Sequence, residues 1–191
     1  AHLGGSFSII EILIALHEEV LTKKDKFILS KAHASFPYCI YLRENGFNPQ
    51  VTTHLEIDQE NSIHCTTGSL GHGLPIGLGM ALARKIQNKR GNIYVMMGDG
   101  ECQEGTTWES LLIAAKHKLN NLNILLDYNK IQALSTIEEV LPLDNLAEKF
   151  KAFNWNAFEI NDGHSFDEIL PLLQQENLSL KPRVFIFNTI K

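Results

Sequence analysis

Gly98-Asp99-Gly100-Glu101 and the run Leu125-Leu126-Asp127-Tyr128-Asn129-Lys130-Ile131, whose Asn129 stands 30 residues after Asp99, decide how this chain is read. Asn92 to Met97 predicts a short buried strand ending at the Gly-Asp-Gly, Thr106 to Leu119 a helix, and Leu122 to Leu126 a second strand ending at Asp127-Tyr128-Asn129. Strand, helix and strand in that order predict a parallel pair whose ends open on one carboxyl edge, where open α/β sheets bind ligands. A carboxylate, an amide oxygen and a peptide carbonyl are hard oxygen donors. They suit Mg²⁺, which takes further oxygens from water and from a ligand's phosphates. The glycines flanking Asp99 let the backbone come close to such phosphates. A Gly-Asp-Gly triplet alone equally suits a turn; its pairing with Asn129 is what makes a candidate diphosphate site.

Outward from this segment, helical and strand patterns alternate without a repeat or low-complexity linker, which predicts an α/β fold. Ser6 to Leu21 is spaced as a helix, with Ser6 or Ser8 available as its cap. Phe27-Ile28-Leu29 predicts a strand and Ala34 to Glu44 a helix stopped near Asn45-Gly46. Residues 47–67 are polar and irregular, too long for an idle connection. Leu74 to Gln87 predicts a helix in which Gly77 and Gly79 permit close packing. Further helices are expected over Leu143 to Phe150 and Phe166 to Gln175, the latter opened by a Ser165-Phe166-Asp167-Glu168 capping box. Trp155 to Ile160 and Val184 to Phe187 bring the expected parallel sheet to about five or more strands, with helices on both faces.

Composition narrows the function classes. The net charge of −5 and the absence of a basic run argue against a nucleic-acid or acidic-membrane surface. Cys39, Cys65 and Cys102 are odd in number, widely spaced and without a CxxC pair, so neither a disulfide framework nor a zinc site is expected, and a reducing cytoplasm is. No stretch approaches the roughly 20 apolar residues of a membrane helix. The sequence opens on Ala1 rather than Met, so an upstream start is expected.

Several segments, in order, resemble the transketolase family of thiamine diphosphate enzymes. They are Ala1-His2-Leu3-Gly4-Gly5-Ser6, Leu29-Ser30-Lys31-Ala32-His33-Ala34, Thr67-Gly68-Ser69-Leu70-Gly71-His72-Gly73, Gly98-Asp99-Gly100 with Gln103-Glu104-Gly105, and Lys181-Pro182-Arg183 leading to Lys191. The resemblance covers nearly the whole chain and implies one diphosphate-binding domain over residues 1–191, with the pyrimidine-binding domain absent. It implies that Asp99 and Asn129 hold Mg²⁺ by side chain and Ile131 by its carbonyl, with Ca²⁺ or Mn²⁺ able to substitute. By the same resemblance the Gly100 amide meets the diphosphate, the helix after it adds a favourable dipole, and Gly68 and Leu70 meet the aminopyrimidine. His33 is implied beside diphosphate and reactive carbon, and His2 at the substrate's oxygens; imidazoles both donate and accept protons near neutral pH. His54, in Thr53-His54-Leu55-Glu56, corresponds to a further site histidine, with His64 as the alternative. Glu104 and Glu109 correspond to acids between paired cofactor sites.

The resemblance also says what is missing. The glutamate and aromatic platform that serve the aminopyrimidine belong to a second domain, and the sequence stops before a loop that carries another family histidine. It therefore implies the first subunit of a split transketolase, paired with a C-terminal pyrimidine-binding chain as two copies of each, moving a two-carbon ketol unit between sugars. The alternatives are a subunit of a thiamine-dependent 2-oxo acid decarboxylase or dehydrogenase, which would lack the Ala-His-Leu-Gly and Ser-Lys-Ala-His segments, and an inactive homologue that binds a partner. A short loop from Asn48 towards His64, and Leu3 where the family has proline, point to a specialised sugar. Of the remaining residues, His17 and His117 are expected in packing or at the surface, His72 in support, His164 in a turn, Trp108 and Trp155 as anchors, and Cys102 as a small buried residue.

Overall fold

A computed structural model describes residues 3–191, so the role expected of His2 lies outside the described residues. The strands are β1 (Lys26–Leu29), β2 (Ile93–Gly98), β3 (Leu122–Tyr128), β4 (Asn156–Ile160) and β5 (Arg183–Asn188). They form one sheet in the order β1-β2-β3-β5-β4, every neighbouring pair parallel. All six residues of β2 are buried, as in a strand covered on both faces. Its side chains alternate between two cores. Ile93, Val95 and Met97 face one, while Tyr94 and Met96 face the other.

The helices follow this division. The first core is closed by α4 (Gly73–Ile86), α5 (Gly105–Lys116) and α7 (Leu146–Ala152), through Leu74, Leu111 and Phe150. The second is closed by α2 (Ile10–Glu19), α3 (Ser35–Glu44) and α8 (Phe166–Leu173), through Ile12, Tyr38 and Ile169. A short α1 (Leu3–Phe7) precedes them, and α6 (Ile137–Val140) is one capped turn after β3, with the Thr136 side chain accepting from the Glu139 N–H. Trp155 and Trp108 are anchors, as expected. Their indole N–H groups donate to the carbonyls of Leu111 and Cys102. No helix among the described residues is long and apolar enough to cross a membrane.

Local departures from the expected elements have physical causes. The helix expected over 6–21 is broken at Ser8-Ile9, and neither serine caps it: the Ser8 hydroxyl donates instead to Asp127 Oδ2 at 2.7 Å. The Ser165 box does not close. Glu168 accepts from the backbone N–H groups of Asn161 and Asp162 rather than from Ser165. Gly77 packs as expected, since a Cβ there would stand 2.5 Å from Val95 Cγ2, but a Cβ on Gly79 would meet nothing within 4 Å. The long 47–67 loop gains only a 3₁₀ turn at Gln59–Asn61 and a bridge between Asp58 and Ile63.

Candidate active site

Parallel register pairs Gly98 with Asp127, so Asp99 and Asn129 leave the sheet side by side at the carboxyl edges of β2 and β3. They open into a cleft of about 400 Å³, whose lining includes His33, His54, Gly68, Leu70, Gly100, Glu104, Ile131 and Lys191. Thus the expected residues His33, His54, Gly68, Leu70, Asp99, Gly100, Glu104, Asn129 and Ile131 come together. Glu109 does not: it stands exposed on α5, outside the cleft. Of the two candidate histidines, His54 lies in the cleft, its ring against Gly68, and His64 lies at the opposite edge of the sheet.

Asp99 is buried and its oxygens accept the N–H groups of Gly100 and Lys130, both at 2.8 Å. Burial pushes its carboxyl above the usual carboxylate range, reinforced by the nearby Asp127 charge. A cation at Asp99 would relieve that cost. Here the Gly100 N–H expected to meet a diphosphate bonds to Asp99, and a 3₁₀ turn (Asp99–Gln103) stands between it and α5, so the longer helix begins only at Gly105.

Asn129 is oriented by its neighbours. Its amide nitrogen donates to Asp127 Oδ2 at 2.8 Å and its oxygen accepts the Ile131 N–H at 3.0 Å. The Ile131 carbonyl accepts from the Lys191 ammonium at 2.7 Å, so a cation already satisfies the oxygen expected to bind a metal. Among the described residues no group of three or more His, Cys, Asp or Glu could hold a metal. The carboxylate, amide and carbonyl oxygens of Asp99, Asn129 and Ile131 nonetheless fit a hard divalent ion that keeps water.

Behind the cleft lies a buried polar network that the sequence reading did not assign. Lys31 forms an ion pair with Asp127, both nearly inaccessible, and its ammonium also donates to the Gly5 carbonyl at 2.8 Å and to Ser8 Oγ at 3.0 Å. Asp127 also accepts from the Thr189 hydroxyl, so the segments that follow α1, β1 and β5 meet on one carboxylate of β3. Glu101, fully buried, accepts the Gly98 N–H at 2.9 Å, the Gly71 N–H at 3.0 Å and the Ser30 hydroxyl. Burial pushes this carboxyl up, against those donors. Gly71 has φ +75°, and a Cβ there would lie 2.6 Å from Glu104 Cβ, so glycine is required at this approach. A charged residue inside a motif beside a serine was the available signal, since buried charges must be paired.

The other histidines take structural places. His17 Nδ1 donates to the Leu13 carbonyl at 2.9 Å, and its ring packs against Phe27, Tyr38 and Tyr41. His72 bonds within its own turn, to Ser69 and Leu70. His164 does more than shape a turn. Its Nε2 accepts the Ile190 N–H at 3.0 Å, which leaves Nδ1 to donate to Glu11 at 3.0 Å and ties the end of the chain to α2. Cys102 is buried and burial raises its thiol, so it is not a reactive group; Cys39 and Cys65 are likewise buried and free.

Comparison with known proteins accounts for this geometry. The family model of the transketolase thiamine diphosphate binding domain matches residues 4–191. The chain is 34% identical to the 6-deoxy-6-sulfo-D-fructose transketolase subunit SqwG of Clostridium sp. (strain MSTE9), covering 100% of this chain and 77% of that protein. It is also 34% identical to an apulose-4-phosphate transketolase subunit of Phocaeicola vulgatus, over 100% of this chain and 75% of that one. The crystal structure of transketolase from Campylobacter jejuni superposes with a TM-score of 0.85 at 27% identity, covering 99% of this chain and 34% of that longer chain. A family match along nearly the whole sequence, a shared fold and a cleft whose residues stand where the motifs put them lead to one conclusion: the chain belongs to the transketolase family, as its thiamine diphosphate binding domain.

Proposed function

We propose that this chain is the N-terminal subunit of a two-chain transketolase, and that with its partner it moves a two-carbon ketol unit between sugar phosphates. The observation that carries this reading is the convergence of Asp99, Asn129 and Ile131 at the carboxyl edge, in one cleft with His33, His54, Gly68 and Leu70. Thiamine diphosphate, when bound, supplies the nucleophilic carbon and the electron sink.

The chain's own residues bind and orient. Asp99, Asn129 and the Ile131 carbonyl, which accepts from Lys191 here, would hold Mg²⁺, and the Gly100 amide, which donates to Asp99 here, would serve the diphosphate. Gly68 and Leu70 present backbone to the aminopyrimidine. His33 and His54 line the cleft and are assigned to the sugar's hydroxyls, where imidazoles can give and take protons. His2 is assigned to the same substrate oxygens. Glu104 and Glu109 are assigned to the contact between paired cofactor sites, with Glu104 in the lining of the cleft and Glu109 outside it. A cytoplasmic heterotetramer of two copies of each subunit completes the reading.

The sugar is proposed to be a specialised one. Two relatives are named for 6-deoxy-6-sulfo-D-fructose and for apulose 4-phosphate, and the short loop that carries His54 borders the cleft. Ketol transfer from a panel of sugar phosphates, with the natural partner present, tests this. Turnover with partner and none without it is expected. Robust turnover by the partner-free chain would sink the split-subunit reading, and efficient use of xylulose 5-phosphate with ribose 5-phosphate would remove the specialised one.

A further inference from the structure

At the amino edge of the sheet, opposite the cleft, lies a groove of about 770 Å³. Lys23, Lys24 and Lys26 reach it from the approach to β1, Arg84 from the last turn of α4, and Lys89 and Arg90 from the turn before β2. Among the described residues no acidic side chain lines it. This is unexpected in a chain of net charge −5, because the fold gathers cations that the sequence scatters over three segments.

The groove is partly built in advance. Arg84 Nη1 donates to the carbonyl of Lys24 and, at 2.8 Å, to that of Arg90, which joins the three segments. Asp25, in the middle of the lysines, forms no ion pair among the described residues. Its carboxylate accepts the Thr22 N–H at 2.8 Å, the Thr22 hydroxyl at 2.7 Å and the Asn92 N–H at 2.5 Å, and it stays outside the lining. Among the described residues none of these cations is in an ion pair. Met80 and Ala83 form an apolar part of the wall. His64, also on the wall, is pushed down to about 4 by burial and then by the Lys26 and Arg84 charges, so the field there already opposes a further positive charge.

The simpler reading is that cations at a helix C-terminus complement its dipole. It accounts for Arg84, on the last turn of α4, but not for lysines that arrive ahead of a strand. We propose that this groove binds a small anion carrying several phosphate groups, held by the lysine and arginine charges around an anchored Arg84. Its place at the far end of the strands, roughly 10–20 Å from the cleft at the usual rise per residue, makes the ligand an effector rather than a reactant. The proposal stands independently of what the cleft binds.

Inorganic triphosphate, without divalent metal, is the probe. It should bind the natural chain, alone or in the complex in which it purifies, saturably and one to one by calorimetry at low salt. Amide and imidazole NMR shifts should move at Lys26, His64 and Arg84. The triple change Lys23→Glu, Lys89→Glu, Arg90→Glu should weaken binding by about tenfold or more while the melting temperature moves by no more than a few degrees. A matched triple elsewhere, Lys116→Glu, Lys151→Glu, Lys181→Glu, should weaken it far less. No saturable binding, equal losses in the two triples, or shifts confined to the Gly98–Gly100 cleft would each overturn the proposal.

Discussion

The two edges of one sheet are built on opposite terms. At the carboxyl edge, charged groups are buried and committed: Lys31, Asp127 and Glu101 are each bonded to several partners, and the cleft they support takes its shape from those bonds. At the amino edge the cations stand around an open groove, and among the described residues none of them is ion-paired. Committed charge fixes geometry and costs stability if one member is removed; uncommitted charge fixes little and is available to a ligand. A site for a positioned cofactor needs the first arrangement, and a site for a diffusible anion is served by the second.

This contrast can be broken by substitution. The largest effect is expected from Lys31→Met, which strands the buried Asp127 charge and should cost about 3–5 kcal/mol in chemical unfolding. The double variant Lys31→Met, Asp127→Leu should recover much of that loss. Equal losses in the single and double variants would mean that the pair is not the element that matters. Glu101→Gln comes next, at about 1–3 kcal/mol, because a Gln amide keeps one acceptor oxygen and must turn its NH2 towards either the Gly98 or the Gly71 N–H.

Acid should then act on the amino-edge histidines. His17 and His64 are both held down to about 4, by burial first, so the folded state takes up these protons later than the unfolded chain. Stability is therefore full above pH of about 6.5 and falls as pH drops towards about 4. Urea midpoints should decline over that window and flatten in His17→Gln, His64→Gln; an unchanged slope would refute the assignment. The smallest effect is expected from reversing Lys23, Lys89 and Arg90, about 0.5 kcal/mol or less each. A cooperative loss there would show that the groove's charges are structural after all.

The parallel sheet and the strand ends at Asp99 and Asn129 were legible because they rest on local patterns: a buried run, a glycine break, and oxygen donors at a fixed spacing. What escaped the sequence was the long-range use of polar groups. Ser8 has the position of a helix cap but spends its hydroxyl on Asp127, and Glu168 has the spacing of a capping box but serves Asn161 and Asp162. His54 and His64 look alike in one loop and part to opposite edges only because the chain folds between them. The basic groove was hidden for the same reason. Charges on three separate segments form no run.

The central claim is that Asp99, Asn129 and Ile131 hold the diphosphate end of thiamine diphosphate through a metal. Its most direct test is calorimetric binding of thiamine diphosphate to the chain assembled with its partner, with and without Mg²⁺, in the natural protein and in Asp99→Ala. Binding that requires Mg²⁺ and is abolished by Asp99→Ala is the predicted result. Affinity unchanged by Asp99→Ala, or no Mg²⁺-dependent binding to the natural assembly, would contradict it.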